Sequence, residues 1–217
     1  MDMVMDEKPK SKIGKLVIAI AIGGVIGFLV AFVFMRTAEL GIFGELDTSR
    51  EIAALVGLLY MATAGFVGFG LVNPKLGARV LNVEDPEELQ EQRKVLGWSV
   101  AGMVALGLAL FVAALSAPVG PIPVEAMIFG FVLLIGISWF AGHRQRRHVD
   151  ELMRSVSMET MSTGFYFTVL FGGGWALLAH GELVAGPQPL DWLTMFAAIM
   201  LLATYWVCGK RGLLKQR

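Results

Sequence analysis

The chain carries one cysteine in 217 residues, Cys208, which excludes an intrachain disulfide and a paired-thiol redox centre. Its three histidines, His143, His148 and His180, all fall at the edges of apolar runs. With no histidine in mid-run, the facing nucleophile and imidazole of an intramembrane serine protease are missing. A bis-histidine haem fails for a related reason: it needs two imidazoles at one depth, and His180 is expected on the opposite side from the other two. His143 and His148 are five positions apart, about 140° around a helix, so they are not expected to share a metal ion.

Charge is also scarce. Only 17% of residues are Asp, Glu, Lys or Arg, and none lies at the centre of an apolar run. Ionisable groups at membrane depth mark proton relays and ion paths, so ion-coupled transport is disfavoured, whereas a passive path lined by hydroxyls and carbonyls is not. The 18 basic and 18 acidic residues cancel, leaving no global field to recruit nucleic acid. The acid-rich segment Glu84 to Glu91 reads as a capped helix and lacks the phosphate-binding pattern of metal-dependent lipid chemistry. No catalytic residue, metal site or cofactor is expected.

What is abundant is apolar side chain. Hydrophobic residues make up 56% of the sequence and the mean hydropathy is +0.67, outside the range of soluble domains. About 20 residues of helix cross the hydrocarbon layer, and six runs have suitable length: about 16–35, 52–72, 95–115, 125–142, 160–179 and 190–208. The expected fold is an all-α polytopic membrane protein with six transmembrane helices in a bundle. Residues 1–15 form an N-terminal tail and 209–217 a basic C-terminal tail. The first run follows a charged start but ends in no small-x-small cleavage pattern, so it is expected as a retained span.

Local signals place the boundaries. Thr48-Ser-Arg-Glu51 matches a capping box and opens the second span. Asn73-Pro74 closes it, because the residue before proline leaves the helical region. Asp85 as N-cap and Pro86 as first helical residue predict a short surface helix that runs into the third span. Ser116 to Val124, SAPVGPIPV, predicts a tight, stiff loop.

Sixteen of the 18 Lys and Arg residues fall in the tails and the even-numbered loops, against Arg36 and Arg50 on the other side. By the positive-inside rule both termini are then cytoplasmic in a bacterial-type inner membrane. The five tryptophans, Trp98, Trp139, Trp175, Trp192 and Trp206, lie near span ends, as amphipathic rings do.

Four sets of residues are candidates for function. On the fifth span Glu159, Ser162, Tyr166, Gly173 and His180, preceded by Ser155, drift along one face at intervals of three, four or seven, which suits a cavity-lining or packing face. Gly172-Gly173-Gly174 in the same span predicts either a close helix crossing or a locally opened helix. Arg144, Arg146 and Arg147 sit at the membrane edge, where arginines attract anionic lipid. Gly23 and Gly27, with Gly65 and Gly68, are spaced for close helix packing. The partners expected are the lipid bilayer, other membrane proteins or further copies of the chain, and anionic lipid, with no nucleic acid. The leading functional expectation is a non-catalytic accessory or scaffold subunit, or a homo-oligomer. A transporter or channel for a neutral or lipid-like solute is the alternative, and an interfacial lipid-modifying enzyme the third.

Overall fold

A computed structural model describes the backbone of residues 10–75, 77 and 86–213, with side-chain surroundings from Gly24 onward except at Ile26 and Pro86. Asp85, the expected N-cap, lies outside the described residues, as do the side-chain surroundings of Gly23. The described residues are helical apart from turns, loops and a single isolated bridge between Ser116 and Ile122. In chain order the helices are α1 (Lys10–Glu39), α2 (Thr48–Val72), α3 (Pro86–Glu91), α4 (Arg93–Ala114), α5 (Val124–Gln145), α6 (Glu151–Phe167), α7 (Gly174–His180) and α8 (Pro189–Lys210). A π-helical turn, Thr168–Gly173, joins α6 to α7. Among the described residues five helical stretches are long and apolar enough to cross a membrane: α2, α4, α5, the continuous run Glu151–His180, and α8.

Two helix starts are capped by aspartates, and one of them departs from the expected capping box. Asp47, not Thr48, caps α2: its side chain accepts from the Arg50 amide at 2.9 Å, and Thr48 is already helical. A carboxylate is a stronger acceptor for an orphan amide than a hydroxyl, which moves the cap back by one residue. Likewise Asp150 caps α6 by accepting from the Met153 amide at 2.7 Å. The expected surface helix is present as α3, but Gln92 interrupts it before α4. Leu89 anchors it, 1% exposed.

Helix packing fixes the plan of the molecule. The core is α2, α4 and α8, joined where Tyr60, Leu110 and Ala197 meet with Val56, Met103, Leu106 and Leu201 packed around them. A second apolar cluster lies toward one end, where Phe34 of α1 joins Ala53, Ala54 and Ala114. Phe34 stacks on Phe43 there at 5.7 Å between centroids, and both meet Phe111 edge-on at 6.2 Å. Outside the core, α5 packs on α4, the α6–α7 run packs on α8, and α1 packs on α2. Although consecutive in sequence, α5 and α6 do not pack along one another. The described helices therefore form an open arc, α5–α4–α8–α6, rather than a closed ring.

Candidate functional site

The helices have two ends, and each carries a distinct polar constellation. At the end formed by the start of α6 and the finish of α5 and α8, Glu159 is the hub. Its carboxylate accepts from Arg211 Nε at 2.7 Å and from Lys210 Nζ at 3.2 Å. Arg211 Nη2 also donates to Ser155 Oγ at 2.9 Å. Ser155 and Glu159 share a face because they are one helical turn apart. The cluster ties α6 to the end of α8, and both of the carboxylate's oxygens are occupied by it.

Beside this hub is the basic loop between α5 and α6. Arg144 lays its guanidinium over the Phe140 ring, 5.2 Å from the centroid. Arg147 Nη2 lies 3.3 Å from His143 Nε2, and His148 Nδ1 lies 3.0 Å from the Arg144 carbonyl. Arg144, Arg146 and Arg147 are all exposed. No group of three metal-ligating side chains forms here or elsewhere among the described residues.

The opposite end is held by a clasp that the sequence reading did not assemble. Arg50, its side chain 17% exposed, donates from Nη1 to the carbonyls of Ser116 at 2.6 Å and Ala114 at 3.1 Å, with Asp47 4.0 Å away. Ser49 Oγ donates to Asp191 Oδ1 at 2.5 Å, and Asp191 Oδ2 accepts from the Gln188 amide at 2.7 Å. Thus the start of α2 binds both the end of α4 and the start of α8. The SAPVGPIPV loop is closed on itself by Ala117 N to Ile122 O at 2.7 Å and Ile122 N to Leu115 O at 3.1 Å. It includes a cis Ala117–Pro118 peptide. Gly44, at φ +81°, lies against the Val119 carbonyl, where a side chain has no room.

Between the two ends the polar groups are absorbed by the fold. Tyr60, 5% exposed, donates its hydroxyl to the Ala197 carbonyl at 3.0 Å and pins α2 to α8. Thr63, Thr168, Thr194 and Thr204 each donate to the carbonyl four residues back, at 2.7–2.9 Å. Such back-bonding satisfies a hydroxyl inside its own helix. Among the described residues no buried side-chain nitrogen or oxygen lacks a hydrogen-bond partner.

The candidate face of the fifth span is divided by this arrangement. Glu159 enters the ion-pair hub, whereas Ser162, Tyr166, Gly173 and His180 are exposed on the outer surface of the chain. The face that meets α8 is the neighbouring stripe, Val156, Thr160, Gly164 and Gly172, all buried. The triple glycine gives a close side-chain contact at one position, and the helix there widens into a π turn without a break. A Cβ on Gly172 would lie 2.5 Å from Met195 Cε and 3.1 Å from Trp192 Cζ3, while Gly173 and Gly174 have nothing within 4 Å. The wider π turn ends on these glycines and re-phases the helix there.

A close crossing of α2 and α4 involves glycines other than those spaced for packing in the sequence. A Cβ on Gly107 of α4 would lie 2.5 Å from the Gly57 carbonyl of α2, and one on Gly57 would lie 2.6 Å from the Gly107 carbonyl. A Cβ on Gly68 would make an ordinary contact with Val100 Cγ1 at 3.6 Å, and one on Gly27 or Gly65 would meet nothing within 4 Å. Only tertiary packing distinguishes these positions, since a glycine does not itself say which face a neighbour will meet. Comparisons with protein-family models, with curated proteins and with solved structures find no match.

Proposed function

We propose that the chain is a non-catalytic membrane-assembly protein, either an accessory subunit of a larger membrane complex or a homo-oligomer. The observation that carries this reading is the set of uncovered glycines on apolar helices. A Cβ added to Gly24 or Gly27 in α1, Gly65 in α2, Gly136 in α5, or Gly173 or Gly174 at the end of the π turn would meet nothing within 4 Å beyond its own helix backbone. In lipid, a position facing acyl chains gains nothing from being small, whereas a position facing another helix lets two backbones approach. Among the described residues α5 packs mainly on α4, the α6–α7 run mainly on α8, and α1 on α2 with Phe34 reaching Phe111 and Ala114 of α4, so much of the surface of these peripheral elements is free for other helices. The satisfied polar groups and the ion-paired Glu159 fit a scaffold better than an enzyme.

In this reading α1, 30 residues and about 45 Å long, is the sixth crossing. The basic end, with both termini, faces the cytoplasm of a bacterial-type inner membrane. The test is native mass spectrometry of the chain extracted in a lipid-preserving scaffold, with Gly24→Ile/Gly27→Ile as the comparison. A discrete assembly lost or reduced in the variant is expected. A wild-type monomer, or an assembly unchanged by the substitutions, would overturn the reading.

A further inference from the structure

Two helices adjacent in sequence are held apart by the fold. Gln145 ends α5 and Glu151 starts α6, so the connection spans six Cα steps. Its first part is turned, with Arg147 N bonded to Arg144 O at 3.3 Å and His148 N to Gln145 O at 2.9 Å. A turn keeps its ends within about 7 Å, and the three remaining steps add at most about 11 Å. The two helix ends are therefore no more than roughly 18 Å apart, while packed helices stand about 8–10 Å apart. Because α5 rests on α4, α6 on α8, and α4 touches α8, these limits leave a lateral space between α5 and α6 that is narrow at the loop end, here called the groove. It is bounded by α5 and α6, backed by α4 and α8, and bridged at one end by the basic loop.

The walls and the mouth of this groove differ in chemistry. The exposed residues of α5 between Ala126 and Phe140, among them Phe129, Val132, Leu133 and Ile137, are all apolar or glycine, so whichever of them turn toward α6 present hydrocarbon. The mouth carries Arg144, Arg146, Arg147 and, one turn into α6, Arg154, none of them in an ion pair. Two acids face the same region. Asp150 is engaged in capping α6, and Glu151 lies in that helix's first turn. The nearby Glu159 is neutralised by Lys210 and Arg211. The mouth therefore has an excess of positive charge beside an apolar slot of limited width.

We propose that this groove binds an anionic phospholipid, with its phosphate on the guanidinium groups of Arg144, Arg146 and Arg147 and its acyl chains between α5 and α6. The arginines supply planar, multidentate phosphate recognition, and the groove supplies the hydrocarbon environment. A protein helix in the same slot would bury apolar surface equally well but would leave the arginine mouth without a counter-charge.

The experiment reconstitutes the full chain in nanodiscs with phosphatidylglycerol and phosphatidylcholine of identical acyl chains. Native mass spectrometry then measures which lipid remains on the released protein. Selective retention of one or two phosphatidylglycerol molecules per chain is expected. Each guanidinium adds roughly fivefold in affinity, so Arg144→Gln/Arg146→Gln/Arg147→Gln should lower retention on the order of a hundredfold. These side chains are exposed and make no ion pair, and unchanged helicity and melting would show the variant to be folded. The triple Lys variant should restore part of the retention. Addition of glycerol phosphate, the head without its chains, should not displace the bound lipid. Equal retention of the two lipids, undiminished retention in the Gln variant, displacement by glycerol phosphate, or a dimer without bound lipid would each overturn the proposal.

Discussion

Replacing Gly107 by alanine tests the packing of α2 on α4 and carries a sign that simple helix propensity does not predict. In an isolated helix Gly→Ala is favourable by up to about 1 kcal/mol. Here the new Cβ would sit 2.5 Å from the Gly57 carbonyl oxygen, 2.8 Å from Met61 Cγ and 3.1 Å from Tyr60 Cβ. Met61 can swing aside, but the carbonyl belongs to backbone and moves only with its helix. Restoring normal contact requires the axes to separate by roughly 0.5–1 Å, enough to forfeit a quarter to a half of the dispersion attraction along the crossing. Overpacking of this kind costs about 1–3 kcal/mol, so a net loss of about 1–2 kcal/mol is expected after the propensity gain.

Gly65→Ala is the matched control. It lies on the same helix as Gly57 with nothing within 4 Å, so the chain should gain a few tenths of a kcal/mol to about 1 kcal/mol. Reversible unfolding in mixed micelles, monitored by circular dichroism, would read both. Because Gly57 and Gly107 share one crossing, the second substitution should cost less once the first has separated the helices. If Gly107→Ala matched or exceeded the wild type in stability, or if the two single variants behaved alike, the close approach would be refuted.

Three further outcomes follow from named contacts. Arg50→Met keeps most of the side-chain volume but strips two carbonyls of a charged donor, and should cost about 2–4 kcal/mol; hydrogen exchange of residues 115–122 should accelerate, and unchanged protection would remove Arg50 from the clasp. Glu159→Gln weakens a partly exposed ion-pair hub, so the loss of stability should be small and shrink with added salt; a large, salt-independent loss measured by the same unfolding assay would show that the carboxylate has another task. Gly172→Leu should destabilise the contact of the π turn with α8 whereas Gly173→Leu should not, and equal melting temperatures for the two would contradict the assignment of the π turn.

The helices were legible in the sequence because their cause is local. A run of uncharged residues of membrane-crossing length leaves the backbone only its own carbonyls as partners, and α4, α5 and α8 fall within a few residues of the expected spans. Asn73 ends α2 as the following proline requires. Contacts between distant positions were not legible. Ser49 and Asp191 are 142 positions apart, and each alone resembles an ordinary helix-start residue. Glu159 stood out as polar, but its neutralisation by Lys210 and Arg211 depends on how α6 lies on α8. The stripe of Ser162, Tyr166 and His180 was visible as a period, yet a period does not reveal whether it faces a neighbour. The adjacent stripe of small and β-branched residues, Val156, Thr160, Gly164 and Gly172, took the packing role because it permits closer approach to Met195, Met200 and Ala203.

The open arrangement of α5 and α6 is tested most directly by disulfide trapping in a Cys208→Ser background. A Cβ on Gly164 would stand 3.8 Å from Ala203 Cβ, and one on Gly102 would stand 3.6 Å from Ala141 Cβ, both within disulfide geometry. The pairs Gly164→Cys/Ala203→Cys and Gly102→Cys/Ala141→Cys should therefore lock under mild oxidation, joining α6 to α8 and α4 to α5. Cysteine pairs scanned at matched depth along α5 and α6 should not form an intramolecular bond. Efficient α5–α6 trapping within one chain, or failure of the two close pairs, would contradict the open arc and the groove it creates.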